Sequence, residues 1–458
     1  MTENRTTQCL LFPDIFPQPV VAQFDQRQGS SDGGAILLKA ADRRIQLTQA
    51  LAVCLKDERQ PGKVDHEMEE LLAQRIFGIA CGYADANDAA RLAEDPVHKM
   101  LIGRDPVEGQ DLASQPTICR FENAPDRKQL YRMGEALADC VIERHRRRLH
   151  GRAQLITIDL DATDDPTHGA QQLTFFNSHY DTWCYLPLLA FVSFNDEKEQ
   201  YVCAAVLRPG NAPASRGAIG ILWRILQRVW AAFPKARVRV RLDGGFADPL
   251  LLDFLDTMGV EYVVAMAKNA VLNRLAKPQM EQARHLSQAS GKTEHVYGEA
   301  RYRAGSWSAE RRVIFKAEVV RQEGKPSKDN PRFVITNLKQ RPQGIYEQVY
   351  CQRGQTENHI KELHYGLEID RTSCTSFLAN QFRVLMTAAA YVLMQEIRLR
   401  AARTQCARAQ VWMLRERLLK LGAHVVRSVR RVVLHLPHSF PFLDTFRQVA
   451  LALGARAG

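Results

Sequence analysis

The sequence lacks the patterns that mark a zinc site, a redox motif or a membrane protein. Its 10 cysteines contain no Cys-x-x-Cys pair, which argues against zinc binding and thiol redox chemistry, and we expect reduced, mostly buried thiols. The N-terminal stretch MTENRTTQCLLFPDIF lacks the basic-then-apolar order of a signal peptide. The longest convincing apolar helix, Val384 to Met394, is too short to span a bilayer. We therefore expect a cytoplasmic protein with this helix in its core.

Acidic residues are outnumbered by basic ones. The chain has 62 Lys and Arg residues against 51 Asp and Glu residues, a net charge of +11. Such an excess commonly concentrates on a surface that meets phosphate or anionic lipid, and the scarcity of membrane signals favours phosphate. With 458 residues, 45% of them hydrophobic and 25% charged, the chain is long enough for about two to four domains and at least one substantial core.

Internal repeats are also missing, so changes in hydrophobic periodicity divide the chain. The pattern is helical from residue 65 to about residue 149, and strands with alternating apolar residues follow, among them 155–161 and 237–243. The order of three strands, helix, strand, helix and strand resembles the ribonuclease H-like α/β sheet. A strand-rich stretch after Lys268 predicts a β insertion, and a helical pattern returns near Tyr346 and continues to the C-terminus.

The predicted fold class is therefore α/β, with a ribonuclease H-like core that is interrupted by a β-strand insertion and flanked by helical N- and C-terminal regions. The expected segments are a mainly helical region at 1–150, the first part of the core at 151–268, the β-rich insertion at 269–345, the second part of the core at 346–400 and a helical basic region at 401–458.

Two of the predicted strands end in carboxylates. Alternation in LITIDLD places Asp159 and Asp161 on the same side of the first strand. Asp243 ends the strand RVRVRLD, and Gly244 and Gly245 allow a sharp backbone turn beside it. Each Asp is alternatively a helix cap or a turn residue.

A third acid lies in the helical stretch CQRGQTENHIKELHYG. At about 100° per residue, Glu357, Lys361 and His364 lie within about 60° of one another on a helix. This face offers an acid for a metal, with Arg353 for bidentate phosphate contacts and Lys361 as a point charge. A solvated helix face is the alternative.

These three acids suit divalent metal chemistry if folding brings them together. Carboxylate oxygens from two strand ends and one helix are the ligands that Mg²⁺ prefers. Two such ions, roughly 3.5–4 Å apart, activate an attacking oxygen and stabilise a leaving oxygen in phosphoryl transfer. A basic surface around an acidic centre therefore predicts an enzyme that acts on DNA.

The residues resemble the DDE transposases of bacterial insertion sequences, in which a Tyr-x2-Arg-x3-Glu-x6-Lys signature surrounds the last acid. Tyr350, Arg353 and Glu357 match its first positions, and His364 stands at the position of the final Lys. The first two acid motifs are matched by Asp161-Ala-Thr and Asp243-Gly-Gly-Phe, with Asp159 as a rival to Asp161. Further similarity to insertion-sequence family thirteen-eighty covers roughly residues 30 to 440, in the stretches HEMEELLAQRIFGIACGYADANDAARLAEDPVHK, DATDDPTHGAQ, LRPGN and QRGQTENHIKEL.

The resemblance implies a cut-and-paste transposase. Such a protein binds the terminal inverted repeats of its element as a homodimer, cuts the strands with two Mg²⁺ ions (Mn²⁺ as a substitute) and joins the freed 3′-OH to target DNA. It implies a bacterial cytoplasmic protein that is associated with the nucleoid when bound to DNA and has no membrane partner. The implied metal ligands are Asp161, Asp243 and Glu357, and the implied DNA contacts are Tyr350, Arg353, Lys361 and His364.

In relatives of this type, a β insertion at this place helps to hold a DNA hairpin and a flipped base. Trp307 is the candidate for stacking on such a base, and an ordinary core or surface tryptophan is the alternative. The pair Trp223 and Trp230 is expected in the core, and His66 is expected to be a cap or packing residue. A basic helical stretch either follows the DNA backbone or forms a solvated face; it comprises Arg398, Arg400, Arg403, Arg408, Arg415 and Arg417.

Three other functions stay open. The histidine at position 364 allows a catalytically silent DNA-binding descendant of such an enzyme. A nuclease of the same fold would cut DNA without joining it. A hydrolase that uses a pair of carboxylates on sugars leaves the basic excess unexplained.

Overall fold

The computed structural model of the protein describes residues 9–457. The N-terminal part of this range is mainly helical, in agreement with the sequence pattern. The prediction about a signal peptide rests partly on residues 1–8, which lie outside this range. The helix α3 begins with a reciprocal capping box between Glu67 and Glu70, and Asp126 caps α7 by accepting from the backbone NH of Gln129. The elements are β1 (Leu10–Phe12), β2 (Val20–Ala22), β3 (Gly29–Ser30), α1 (Ile36–Ile45), α2 (Leu47–Ala52), α3 (Met68–Ala80), α4 (Asp88–Leu92), α5 (Pro96–Leu101), α6 (Gln115–Asn123) and α7 (Arg127–Arg148).

A mixed sheet follows, and its strands come from the segments with apolar alternation. In chain order the elements are β4 (Leu155–Ala162), β5 (Asp165–Pro166), β6 (Phe175–Asn177), β7 (Thr182–Tyr185), β8 (Leu188–Phe194), β9 (Tyr201–Val206), α8 (Ala218–Ala232), β10 (Arg237–Leu242), α9 (Pro249–Thr257) and β11 (Glu261–Met266). The sheet order is β9-β8-β4-β10-β11. Neighbours are antiparallel in β9-β8-β4 and parallel in β4-β10-β11, so the carboxyl ends of β4, β10 and β11 share one edge.

The segment predicted as a β insertion extends this same sheet. It begins with two helices that the sequence pattern did not predict, α10 (Ala270–Leu275) and α11 (Lys277–Ser290), and continues with β12 (Glu294–Tyr302), β13 (Arg311–Val320), β14 (Lys328–Asp329) and β15 (Arg332–Thr336). The strand β15 pairs antiparallel with β11, and β13 and then β12 continue the sheet beyond it. The predicted insertion is therefore joined to the core by backbone hydrogen bonds.

The remaining part of the chain contains helices and a late hairpin. Its elements are α12 (Pro342–Gly344), α13 (Gly354–Lys361), α14 (Phe377–Arg400), α15 (Val411–Leu414), β16 (Ala423–Arg427), β17 (Val432–His435) and α16 (Leu443–Leu453), with π-helical turns at Ile345–Tyr350, Glu362–Gly366 and Arg415–Leu419. The prediction of helix up to the C-terminus was wrong for β16 and β17, which pair with each other, and β16 also pairs with β3. Both strands carry adjacent valines, which favour extended backbone.

The helix α14 forms the centre of the helical layer. It is long and apolar enough to cross a membrane by length and composition, but 83% of its apolar window is buried inside the protein, where it packs against α3 and β9. The expected core position is confirmed, although the helix is longer than predicted. Arg398, expected on a basic surface, is buried at 2.7 Å from both Glu199 and Glu362, and its charge is thus used inside the protein.

The outer edge of the sheet is covered by side chains of α14. Gln381 accepts from the backbone NH of Leu207 at 2.6 Å and donates to the carbonyl of Ala205 at 3.1 Å. Gln395 accepts from the NH of Val202 at 3.3 Å and donates to the carbonyl of Gln200 at 2.7 Å. These contacts satisfy backbone groups of β9 that have no neighbouring strand.

Two burial predictions were wrong. The buried cysteines are Cys81, Cys184, Cys203 and Cys406, and the other six are at least partly exposed, so most thiols are not buried. Trp223 is 46% exposed because it lies on the outer face of α8, whereas Trp230 packs against the core.

Candidate active site at the carboxyl ends of the central strands

Two of the predicted acids meet at one edge of the sheet. Asp159 pairs with Arg241 in the register of the parallel strands β4 and β10. Two residues further along each strand, Asp161 and Asp243 therefore reach the same edge. The side chain of Asp161 is 10% exposed and that of Asp243 is 38% exposed, so the pair opens towards solvent.

The third acid, Glu357, lies on the exposed side of α13. Burial raises the pKa of Asp161 to about 6, and the negative charges of Asp243 and Glu357 act in the same direction while Arg353 opposes them. Folding thus brings all three predicted acids into one electrostatic neighbourhood. The carboxylate oxygens of Asp161 and Asp243 at this edge are donors of the kind that Mg²⁺ and Mn²⁺ prefer.

The guanidinium of Arg353 lies among these acids. Its Nη2 is 2.8 Å from Oδ2 of Asp161 and 3.6 Å from Oδ2 of Asp243. Although burial opposes its charge, the two acids raise the pKa of Arg353. Within residues 9–457, Nε of this side chain is buried and has no hydrogen-bond partner, so one donor of Arg353 is unsatisfied inside the protein.

Asp159, the rival first acid, has a different environment. It is fully buried. Arg241 donates a hydrogen bond to each of its carboxylate oxygens, from Nε to Oδ1 at 2.8 Å and from Nη2 to Oδ2 at 2.7 Å. Gln200 donates a further hydrogen bond to Oδ2 at 3.1 Å. These partners favour a structural ion pair for Asp159 and leave Asp161 as the acid of the open site.

His364 is joined to the strand-end turn rather than extended from the helix face. Its Nε2 lies 3.0 Å from Oγ1 of Thr163, and its Nδ1 lies 3.3 Å from Oδ2 of Asp370. The π-helical turn Glu362–Gly366 adds a residue per turn, so the angles of an ideal α-helix do not hold here. Lys361 stays exposed, and Tyr350 packs against the ring of Tyr346 at 5.5 Å.

Trp307 lies away from the surface. It is 4% exposed, the edge of Tyr302 contacts it at 5.3 Å between ring centroids, and Arg311 lies 5.4 Å from its ring centroid. Trp307 is thus an ordinary core tryptophan in this structure, because its indole is too buried for a DNA base to stack on it.

The sequence reading missed Tyr180, which lies in the turn between β6 and β7. Burial raises the pKa of Tyr180 to about 12, and the charges of Asp164, Asp161 and Asp243 add to this shift. The strand β5, which follows Asp161 by four residues, pairs with β7, so the hairpin lies next to the segment that leaves the first acid. Its flanking strands have three and four residues, too few for an alternating pattern to reveal them.

The stretch LRPGN also supports the site. Arg208 donates from Nη1 to the carbonyls of Pro213, Ala214 and Arg216 at 2.9–3.2 Å. A Cβ at Gly245 would lie 2.8 Å from Cβ of Ala214, so the small residue is required by this close approach. The predicted turn is present as a 3-10 helix at Gly244–Phe246, which Asp243 caps by accepting from the backbone NH of Gly245 at 2.8 Å, although neither glycine has a positive φ.

A second group of possible ligands lies in the helical region. One ligand atom each from Asp32, Cys81 and His98 falls within 4.8 Å of the others. Lys420 Nζ already lies 2.7 Å from Asp32 Oδ1, and His98 Nε2 lies 2.9 Å from Oδ2. We interpret this group as a buried ion-pair network, because Lys420 supplies the cation.

Comparison with known proteins identifies the family of this chain. One solved structure similar to this chain is a piggyBac transposase synaptic complex with hairpin DNA, with a TM-score of 0.38 and 10% identity over 80% of this chain and 75% of that chain. No curated protein matches the sequence. The family model described as Transposase DDE domain group 1 matches residues 12–456. Since this match spans nearly the whole chain, the protein belongs to the DDE transposase family.

Proposed function

We propose that this transposase, of the insertion-sequence family thirteen-eighty type, binds the terminal inverted repeats of its element and carries out cut-and-paste transposition. The observation that carries the proposal is the meeting of Asp161 and Asp243 at one sheet edge beside Arg353, with the charge of Glu357 acting on Asp161. Carboxylates at an open sheet edge in a chain of net charge +11 suit a metal-dependent reaction on a polyanion.

In the proposed mechanism, Asp161, Asp243 and Glu357 would hold two Mg²⁺ ions, or Mn²⁺ in their place. These ions would supply the activation of the attacking oxygen and the stabilisation of the leaving oxygen. Arg353, whose guanidinium lies beside Asp161 and Asp243, would donate to a non-bridging oxygen of the scissile phosphate. Lys361, which is exposed on the same helix, adds a positive charge along the DNA backbone.

For His364 we propose a positioning role rather than a direct contact with phosphate. Its contacts with Thr163 and Asp370 support a role in fixing the turn after Asp161. Tyr350, whose ring lies 5.5 Å from that of Tyr346, is proposed as a further DNA contact.

The proposed catalytic core is ribonuclease H-like. The strand order β9-β8-β4-β10-β11, with one antiparallel and one parallel wing, supports this proposal, as do acids at the ends of β4 and β10. We assign 151–268 and 346–400 to the core, 269–345 to the insertion, 1–150 to DNA-end binding and dimerisation, and 401–458 to a basic C-terminal region. The proposed assembly is a homodimer on DNA in the bacterial cytoplasm, associated with the nucleoid.

The test is cleavage of a labelled duplex that carries the terminus of the element encoding this chain. We expect Mg²⁺-dependent nicking by the wild type and its loss in Glu357→Gln, with DNA affinity within about twofold because the exposed amide keeps the shape of the side chain. The control is Glu416→Gln, another exposed helical acid, which should cut normally.

The products separate the alternatives. Joining of the labelled 3′ end to a target plasmid supports transposition, whereas cutting without joining supports a nuclease. Binding without cutting by the wild type would support the silent DNA-binding descendant and overturn the catalytic proposal.

A further inference from the structure

A cavity lined by arginines lies between the carboxyl-terminal ends of α1, α7 and α14. Its volume is about 740 Å³, within the range of roughly 300–1,000 Å³ that is typical of small-molecule sites. The basic side chains in its wall outnumber the two acids, Asp139 and Glu143. We call it the arginine cavity after its lining arginines, which are Arg44, Arg144, Arg147, Arg148 and Arg400.

Three of these arginines share one buried carboxylate. Glu396 is 3% exposed and is contacted by Arg400 at 2.8 Å, by Arg44 at 3.8 Å and by Nε of Arg144. Burial lowers the pKa of Arg144; Glu396 opposes this shift, and the charges of Arg400 and Arg148 add to it. An anion that entered the cavity would therefore relieve repulsion among its cations.

The two acids in the wall are already paired. Glu143 accepts from Nε of Arg147 at 2.8 Å and from Nε of Arg146 at 2.5 Å, and these hydrogen bonds lower the pKa of Glu143 to about 2. Asp139 lies 2.7 Å from Arg228. Because both acids are engaged with these arginines, they do little to offset the surplus positive charge around Glu396.

Two arginines present guanidinium groups to solvent. The side chain of Arg44 is 45% exposed, and its distance of 3.8 Å from Glu396 is too long for a hydrogen bond. The side chain of Arg147 is 65% exposed, and it contacts Glu143 through Nε. The Nη atoms of both residues can thus donate to phosphate oxygens, which a guanidinium fork binds in pairs.

The arginine cavity lies at the opposite end of β4 from the first acid. Arg148 donates to Glu197, in the turn between β8 and β9, at 2.7 Å. That turn adjoins the start of β4, because the NH of Asn195 donates to the carbonyl of Leu155 at 2.7 Å. Asp161 follows Leu155 by six residues along the strand, roughly 20 Å. The cavity is therefore separate from the acid edge.

We propose that the arginine cavity binds a free polyphosphate ligand, such as a nucleoside triphosphate, and that Arg44 and Arg147 contact its phosphates. A concave site of this volume suits a small ligand, whereas duplex DNA carries its phosphates on a convex surface. Basic residues in the last turn of a helix also offset its negative end, but that role requires neither a cavity nor a ligand. The site is independent of the proposed function, because it needs no DNA at the acids.

The test is calorimetric titration of the full chain with tripolyphosphate, ATP and sulfate, with EDTA present so that no divalent ion takes part. We expect the wild type to bind tripolyphosphate and ATP at least about tenfold more tightly than sulfate, which engages fewer guanidinium groups. Arg44→Gln and Arg147→Gln should each weaken polyphosphate binding by about tenfold. Arg44→Lys should recover part of the loss, since lysine keeps the charge without the fork.

Arg146→Gln is the matched control. Arg146 lies beside Arg147 on α7, also pairs with Glu143 and has a side chain that is 48% exposed, but it does not line the cavity. This variant should bind tripolyphosphate as the wild type does. Failure of the wild type to bind tripolyphosphate would overturn the inference. Equal affinities of wild type, Arg44→Gln and Arg147→Gln would also overturn it, because they would show adventitious binding elsewhere on a basic chain.

A labelled duplex distinguishes a free ligand from the phosphates of DNA. We expect the double variant of Arg44→Gln and Arg147→Gln to bind the duplex within about twofold of Arg146→Gln, since the cavity lies away from the acid edge. Displacement of bound ATP by the duplex, together with a tenfold loss of duplex affinity in the double variant, would assign these arginines to the DNA backbone and overturn the proposal. DNA cleavage by the wild type is a separate readout, so either proposal can fail alone.

Discussion

Nη2 of Arg353 lies 2.8 Å from Oδ2 of Asp161, and a second carboxylate, that of Asp243, lies 3.6 Å from the same nitrogen. A cation of the protein thus offsets the repulsion of the two acids in the position where divalent ions are expected to bind. The arginine and the metal compete for the same negative charge, and this competition is measurable without a catalytic assay.

We predict that Arg353→Gln destabilises the metal-free protein by about 3 kcal/mol, because a buried ion pair loses one partner. Mg²⁺ should then raise the Tm of this variant by more than it raises the Tm of the wild type. Thermal unfolding with and without Mg²⁺ measures both effects. Arg403→Gln, at an exposed position, serves as the control, and identical Mg²⁺ shifts in Arg353→Gln and wild type would refute the competition.

We predict that Asp159 contributes mainly to stability and Asp161 mainly to catalysis. Asp159→Asn leaves Arg241 buried without its carboxylate partner, and we expect a loss of about 3–5 kcal/mol in the free energy of unfolding. Asp161→Asn should abolish cleavage with a smaller loss of stability, because burial already disfavours the charged form of Asp161 and Asp243 remains as a partner for Arg353. Denaturant unfolding and the cleavage assay on both variants decide this, and the reverse assignment would be established if Asp159→Asn were stable but inactive.

Asp165 should make stability depend on pH. It is fully buried, and burial raises its pKa to about 8; the hydrogen bond from Thr372 lowers this pKa, Asp370 and Asp164 raise it, and Arg383 lowers it. Between the ordinary value of 3.8 and about 8, the folded state holds a proton that the unfolded state releases. The contribution of Asp165 to stability therefore falls as pH rises through this window and levels off above it.

Asp165→Asn removes this titration and keeps an acceptor for Thr372. We expect the Tm of the variant, relative to wild type, to increase steadily from pH 5 to pH 8. Calorimetry across this range is the measurement. Parallel Tm curves for the two proteins would show that Asp165 has no raised pKa in the folded state.

Trp307→Ala should act on folding rather than on DNA. The indole is buried among Tyr302 and Arg311, so we expect a loss of about 3–5 kcal/mol in stability, with Trp307→Phe losing less. Affinity for gapped DNA, measured at a temperature where the variant is folded, should stay unchanged. A selective loss of gapped-DNA binding would restore Trp307 as a base contact.

The meeting of Asp161 and Asp243 at one sheet edge was predictable from the sequence because each residue ends a strongly alternating strand. The metal-binding role of these two acids and of Glu357 stays a prediction. The sequence could not decide between Asp159 and Asp161 as the first acid, since both lie on the same side of β4. Only the parallel register with β10 puts Arg241 opposite Asp159, and a register between distant strands leaves no trace in local periodicity.

The course of the fold after β11 was less predictable for a similar reason. Alternation identified β12, β13 and β15 as strands, but it carries no information about which edge they join. The hairpin β6–β7 was missed because its strands are short, and β16 and β17 were missed because their apolar residues are also compatible with a helix. The partners of Arg398 lie far away in the chain. Local sequence therefore did not reveal its ion pairs, and Arg398 was predicted to lie on a basic surface.

The glutamine contacts along β9 have a consequence for self-association. An open strand edge is a template on which another polypeptide can add a strand, by aggregation or by domain swapping. Gln381 and Gln395 occupy backbone groups that such a strand would need. Copies of this protein that meet at high local concentration on DNA are therefore protected from fibril-like growth at this edge, and any contact made there has to use side chains.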